Sequence, residues 1–136
     1  MQCMARGSNN KPGKITVPAD VFPEKHELVT ANFFTHLGKN VEFLTPSTHI
    51  SAKTADIKVD GLIWEMKAPK AASKRTIENA LRAALRQSSN IIFDLQRTKM
   101  HQDKCVAELT RQFELSKKIK RLIIIKKSRH SIVLER

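Results

Sequence analysis

The chain has no tyrosine, a single tryptophan and two cysteines, and only four glycines and five prolines among 136 residues. Cys3 and Cys105 stand far apart, with no second Cys or His at ligand spacing. Neither a disulfide framework nor a Cys/His zinc site is indicated, and a reducing workplace is the simplest reading. So little Gly and Pro beside 40% hydrophobic residues excludes fibrous and disordered classes. The longest uncharged apolar runs, such as Leu122 to Ile125, are far shorter than the ~20 residues of a membrane-spanning helix. No membrane insertion is expected. The N-terminus, Met1 to Lys14, is polar and lacks the apolar core of a secretory signal, so any export must be carried by something else. With no tyrosine and Trp64 placed in the core, aromatics for base stacking are scarce, and any nucleic acid would be read by backbone and shape.

What is present is positive charge. Lys and Arg number 25 against 13 Asp and Glu, a net charge of +12 with a pI near 10.1. Such a surface favours a polyanion, of which nucleic acid is the usual one. Residues 1–66 are neutral overall, whereas residues 67–86 carry +5 and residues 97–136 carry +8. All of the positive excess therefore follows Met66, while more than half of the carboxylates precede it. A phosphodiester enzyme needs that division, because Lys and Arg hold the backbone while carboxylates hold metal. A binding module without chemistry shows the same charge.

At 136 residues the chain makes one domain. Residues 1–20, rich in Gly, Asn and Pro, read as a flexible arm or linker, and residues 21–136 as a single nuclease-sized domain. Leu28, Ala31, Phe34 and Leu37 predict a helix that stops at Gly38. Val41 to Leu44 is a short strand. Ala55 to Lys67 reads as a hairpin: Ala55, Ile57 and Val59 alternate with Asp56 and Lys58, Asp60-Gly61 turns the chain, and Leu62, Trp64 and Met66 alternate with Ile63, Glu65 and Lys67. A helix follows over 76–88 with Ile77, Ala80, Leu81, Ala84 and Leu85 on one stripe. Then come a strand over 90–95, a helix over 103–117, and strands over 121–126 and 131–134 around a basic turn. The order α, β, β, β, α, β, α, β, β predicts an α/β (α+β) fold, a mixed central sheet flanked by helices.

With Asp60 and Gly61 as the turn, cross-strand partners have numbers that sum to 121. Asp56 then faces Glu65, on the same side as Lys67, while Ile57, Val59, Leu62, Trp64 and Met66 form an apolar side. Like charges opposed in a sheet are destabilising, but Mg²⁺ is held by just such carboxylates with waters and phosphate oxygens. Lys67 is placed to orient or deprotonate water, or to neutralise a phosphate in the transition state. Glu27 stands alone among apolar neighbours on the first helix. Gln87 falls on the edge of the second helix's stripe, as a cleft residue or a helix-end polar group. Lys70, Lys74 and Arg75 follow the strand directly, where a phosphate would approach. Lys117, Lys118, Lys120, Arg121, Lys126, Lys127 and Arg129 are further phosphate-contact candidates, and the last three sit at a hairpin tip, with solubility as their alternative role. His26, His36, His49, His101 and His130 share no ligand spacing and read as surface residues.

Glu27 in a first helix, Asp56 at a strand start, and Glu65-Met66-Lys67 near the end of the next strand resemble the PD-(D/E)XK nuclease superfamily, without the proline before Asp56. The run Asp56 to Pro69, followed by Gln87-Ser88-Ser89-Asn90-Ile91-Ile92, is similar to the tRNA nuclease type of CdiA C-terminal toxin domains from contact-dependent growth inhibition. The resemblance spans about residue 24 to the end. It implies a restriction-endonuclease-like core and a metal-dependent endonuclease toxin. Such a toxin cuts tRNA in the cytoplasm of a competing bacterium, delivered as the C-terminal part of a larger secreted or surface protein. It also implies a cognate immunity protein, for which a +12 domain suits an acidic inhibitor steered by charge. On this resemblance Glu27, Asp56 and Glu65 bind Mg²⁺, or Mn²⁺ or Zn²⁺ in its place, Lys67 assists catalysis, and Gln87 matches a polar position beside the active site in some members. A DNA-cleaving nuclease of the same fold and a non-catalytic basic nucleic-acid-binding module are the alternatives.

Overall fold

The Asp60-Gly61 turn is the pivot of the fold. Both residues take positive φ, 53° and 78°, as a two-residue hairpin turn with the right-handed twist requires. Gly61 tolerates this freely. Asp60 is held by an ion pair to Lys39. The turn joins Ile57–Val59 to Leu62–Lys67, paired Ile57 to Trp64, Lys58 to Ile63 and Val59 to Leu62. The register is the expected one.

The computed structural model describes residues 2–4, 11–46, 55–71 and 73–136. Its strands are β1 (Gln2–Met4), β2 (Ile15–Thr16), β3 (Val41–Phe43), β4 (Ile57–Val59), β5 (Leu62–Lys67), β6 (Asn90–Asp94), β7 (Arg121–Ile125) and β8 (Ser131–Glu135). The helices are α1 (Lys25–His36), α2 (Lys74–Leu85) and α3 (Gln102–Leu115), with a 3₁₀ turn at Leu95–Arg97. The described strands form one mixed sheet in the order β1-β8-β7-β6-β5-β4-β3-β2. β5, β6 and β7 run parallel, and antiparallel partners flank them. The α/β expectation is met.

The expected arm at residues 1–20 is corrected in part. Gln2–Met4 pairs with β8, and Ile15–Thr16 runs alongside β3, so both outer strands come from this segment. Residues 1 and 5–10, and with them part of the expected arm, lie outside the described residues, as does His49. Strands of two and three residues carry no periodicity to read. They exist because a partner offers free backbone groups.

Helices cover both faces. α2 and α3 pack on Ile91, Phe93, Leu122 and Ile124, while α1 packs on Trp64, Met66, Ile92, Ile123 and Ile125. β6 is therefore buried at every position, as a central parallel strand must be. Each of these large side chains contributes roughly 1.5–3 kcal/mol by leaving water. The helix starts are locally encoded. Glu24 and Glu27 form a reciprocal capping box on α1, and the Ser73 hydroxyl accepts from the Thr76 N–H at 3.0 Å on α2. Gly38, at φ 82°, ends the α1 segment.

Candidate active site

The parallel strands β5, β6 and β7 end together, with Lys67 beside Phe93 and Asp94 beside Ile125. In open α/β sheets the carboxyl ends of such strands are where ligands bind. Three sequence-expected residues meet there. Asp56 lies one residue before β4, and the regular ladder stops short of it. Its N–H donates to the Trp64 carbonyl at 3.0 Å, and its carboxylate Oδ2 accepts the Met66 N–H at 2.8 Å. Asp56 is thus not a strand residue squarely opposite Glu65, as the register implied. It curls over the strand end and fixes its carboxylate on the β5 backbone.

The two carboxyl groups still meet. Glu65 is in hydrogen-bonding contact with Asp56, and Lys67 Nζ stands 3.7 Å from Glu65 Oε2. Glu65 is only 7% exposed. Burial first, then the charge and hydrogen bond of Asp56, push its pKa from 4.5 up to about 8, against the opposing pull of Lys67. At neutral pH the metal-free pair therefore holds a proton in place of one negative charge.

Glu27 is placed differently. Glu65 and Lys67 share the face of Ile91 and Phe93, covered by α2 and α3, whereas α1 lies on the other face. Glu27 Oε1 accepts the Glu24 N–H at 2.8 Å and shares with Asp56 a cleft of about 280 Å³ floored by Phe43, Leu44 and Ala55. Asp56 is the link between that cleft and Glu65. Among the described residues, no three His, Cys, Asp or Glu side chains are grouped closely enough to hold a metal.

The basic candidates divide by strand direction. Lys70, Lys74 and Arg75 are exposed at the end where β5 leaves the sheet, although Lys74 also faces Glu108 of α3. Lys117, Lys118, Lys120 and Arg121 lead into the start of β7, beside Asn90, at the opposite end. Arg121 is occupied there by Glu135 at 3.4 Å and Asn90 at 3.2 Å. Gln87 likewise belongs to the far end, since its neighbour Ser88 donates to the Ile63 carbonyl at 3.1 Å. Lys126 and Lys127, by contrast, follow the carboxyl end of β7 and share the edge with Lys67.

One group escaped sequence reasoning. Asp94, fully buried, accepts both guanidinium nitrogens of Arg129 at 2.9 and 3.1 Å, the Thr30 hydroxyl at 2.7 Å, and the backbone and side-chain N–H groups of Gln96. Arg129 also lies over the Phe33 ring, 5.8 Å from its centre. This latch ties α1 and the β7–β8 turn to the end of β6. A lone acid closing the run Asn90 to Leu95 was the available signal, because a buried carboxylate demands a partner.

Residues 53–130, more than half of the chain, match the family described as contact-dependent growth inhibition CdiA C-terminal domain. The chain belongs to this family. The matched span holds Asp56, Glu65, Lys67, Asp94 and Arg129 but not Glu27. The fold is similar to that of a solved chain from the CdiA-CT/CdiI toxin and immunity complex of Burkholderia pseudomallei, with a TM-score of 0.65 and 17% identity over 91% of this chain and 100% of that one. No curated protein matches. As a CdiA C-terminal domain the chain is part of a larger growth-inhibition protein, and among the described residues no helix is long and apolar enough to cross a membrane.

Proposed function

We propose that this CdiA C-terminal domain is a metal-dependent endonuclease toxin of the PD-(D/E)XK type that hydrolyses tRNA in a competing bacterium. The observation that carries the reading is the pair of half-buried Asp56 and buried Glu65 beside Lys67. Two carboxyl groups in contact, one lifted to about 8, destabilise a fold unless something cationic is meant to join them. The donor set, hard oxygens with room for waters and phosphate, fits Mg²⁺ better than a soft metal. Asp56 and Glu65 would hold the ion, and Glu27 would approach through the shared cleft. The ion would supply Lewis acidity at the scissile phosphate.

The chain's own residues supply the rest. The Asp56 carboxylate, pinned to the Met66 N–H, cannot swing away from Glu65. Lys67 projects an ammonium beside Glu65, where it donates to a non-bridging phosphate oxygen and offsets the charge that builds as water attacks phosphorus. The water oxygen forms the new P–O bond as it gives up a proton to bulk water, the ester P–O bond breaks, and the leaving oxygen takes a proton from bulk water. Lys70 and Arg75 flank the path of the backbone.

The likeness of Asp56 to Pro69 to tRNA-cleaving toxin domains favours tRNA over DNA. The similarity in fold to a chain solved within a toxin and immunity complex, together with the net charge of +12, supports a cognate acidic immunity protein. The test incubates the protein with total tRNA and with plasmid DNA, in Mg²⁺ or EDTA, beside the Lys67→Met variant. Cleavage of tRNA that needs both Mg²⁺ and Lys67, with circular dichroism of the variant unchanged, is the expected result. Cleavage of plasmid alone transfers the reading to a DNA nuclease. Salt-sensitive binding of nucleic acid without cleavage refutes catalysis.

A further inference from the structure

A second cavity, distinct from the one that holds Glu27, is wider than it. It lies on the other flank of α1, between that helix and the β7–β8 turn, and has a volume of about 580 Å³. Val29, Asn32, Phe33 and His36 form one helical stripe along its wall, and Arg129 and His130 close it from the turn. No carboxylate lines it.

We infer that this cleft is a nucleobase site, which takes one unpaired base of the substrate strand several nucleotides from the cleavage point. The inference rests on the nuclease reading above and deepens it. The chemistry is that of a base pocket rather than of an anion site. Val29 and the edge of Phe33 give an apolar floor, the Arg129 guanidinium a flat cationic face, and Asn32, His36 and His130 donors and acceptors for a base edge.

The wall is built rather than mobile. Arg129 is clamped by the buried carboxylate of Asp94 through two hydrogen bonds, and Thr30 and Gln96 hold that carboxylate from α1 and the 3₁₀ turn. The Asp94 latch otherwise plays no part in the chemistry, and here it gains one: it presents the pocket. The turn itself is fixed by the Lys126 N–H donating to the His130 carbonyl at 2.8 Å.

Position agrees. The turn follows the carboxyl end of β7, two strands from Lys67 at the end of β5. Two strand spacings are roughly 10 Å, and because the cleft lies on the α1 face while Lys67 lies on the α2–α3 face, the substrate strand rounds the shared carboxyl edge between them, a path of several nucleotides. Lys126 and Lys127 lie along the same edge to take the intervening phosphates. The shortage of exposed aromatic residues in the sequence concealed this site, because its flat surfaces are a guanidinium and the edge of a mostly buried ring.

The experiment uses the full chain in EDTA, so that nothing is cleaved. The four ribonucleoside 5′-monophosphates and inorganic phosphate are titrated separately, while NMR follows the Asn32 amide group and the rings of His36 and His130. Saturable shifts with at least one nucleotide and none with phosphate are expected. The same shifts with phosphate alone, or none with any nucleotide, overturn the inference. So does a pocket that responds to the immunity protein but not to nucleotides.

Asn32→Ala and His36→Ala, both at exposed positions, should raise KM for tRNA roughly tenfold and leave kcat within twofold, the size of one lost base contact. Unchanged KM in both variants overturns the assignment even if the wild type cleaves. A wild type that binds nucleotides in the cleft but cleaves nothing refutes catalysis and leaves the base site standing.

Discussion

Replacing Glu65 by Gln should make the metal-free protein more stable, and the gain should grow with pH. Glu65 titrates near 4.5 in the unfolded chain and at about 8 in the folded one. The folded state thus holds the extra proton, and the stability that comes from the neutral carboxyl is fully present below pH 4.5 and lost as pH rises to 8. Each unit is ~1.4 kcal/mol, so about 3 kcal/mol is lost by pH 7 and roughly 5 kcal/mol above pH 8. The side chain is 9% exposed, which leaves little solvent to screen the effect. Gln keeps the shape and cannot ionise. Urea denaturation in EDTA, at steps from pH 4 to 9, should give equal stabilities at pH 4, a variant about 3 kcal/mol more stable at pH 7, and a gap that flattens above pH 8. Groups remote from the pair cancel in the difference. A variant that is less stable at pH 7, or a gap that does not widen with pH, refutes the account of the pair. Mg²⁺ should then stabilise the wild type and not the variant.

Three further outcomes follow from the geometry. Gly61→Val places a branched side chain at φ 78°, where no atom crowds it, so the backbone alone should cost about 1–2 kcal/mol in a thermal melt, and a change under ~0.5 kcal/mol would contradict the turn. Asp94→Ala removes the acceptor shared by Arg129, Thr30 and Gln96 and should destabilise the fold by about 3 kcal/mol or more, again by denaturation; an unaffected midpoint would mean the latch holds nothing. Joint Ala replacement of Lys70, Lys74 and Arg75 should raise KM for tRNA roughly tenfold at low salt, whereas the same treatment of Lys117, Lys118 and Lys120 should leave it within twofold, because those three serve the far end of the sheet. Equal effects would refute that division.

The hairpin was the most legible part of the chain, since a two-residue Asp-Gly turn fixes register and register fixes faces. That argument delivered Ile57 opposite Trp64 and brought Asp56, Glu65 and Lys67 together. It misplaced Asp56 in one respect, because pairing arithmetic cannot see a side chain that takes over a backbone N–H and ends the ladder. The strands and helices from α1 to β8 follow apolar periodicity and were expected within a few residues. The outer strands were not, since tertiary pairing alone creates them. Charge was read along the chain but acts in space: Arg121 and Lys127 are close in sequence, yet β7 carries them to opposite ends of the sheet. Only the topology decides which cations share an edge with Lys67.

The two outer strands, Gln2–Met4 and Ile15–Thr16, have a consequence for how this protein meets others. A sheet edge is a template on which a further chain can crystallise, and long flat edges nucleate fibrils. Here the described borders end in stretches of three and two residues, too short for a stranger's backbone to zip on. A basic domain that travels among foreign proteins is thereby kept from joining their sheets.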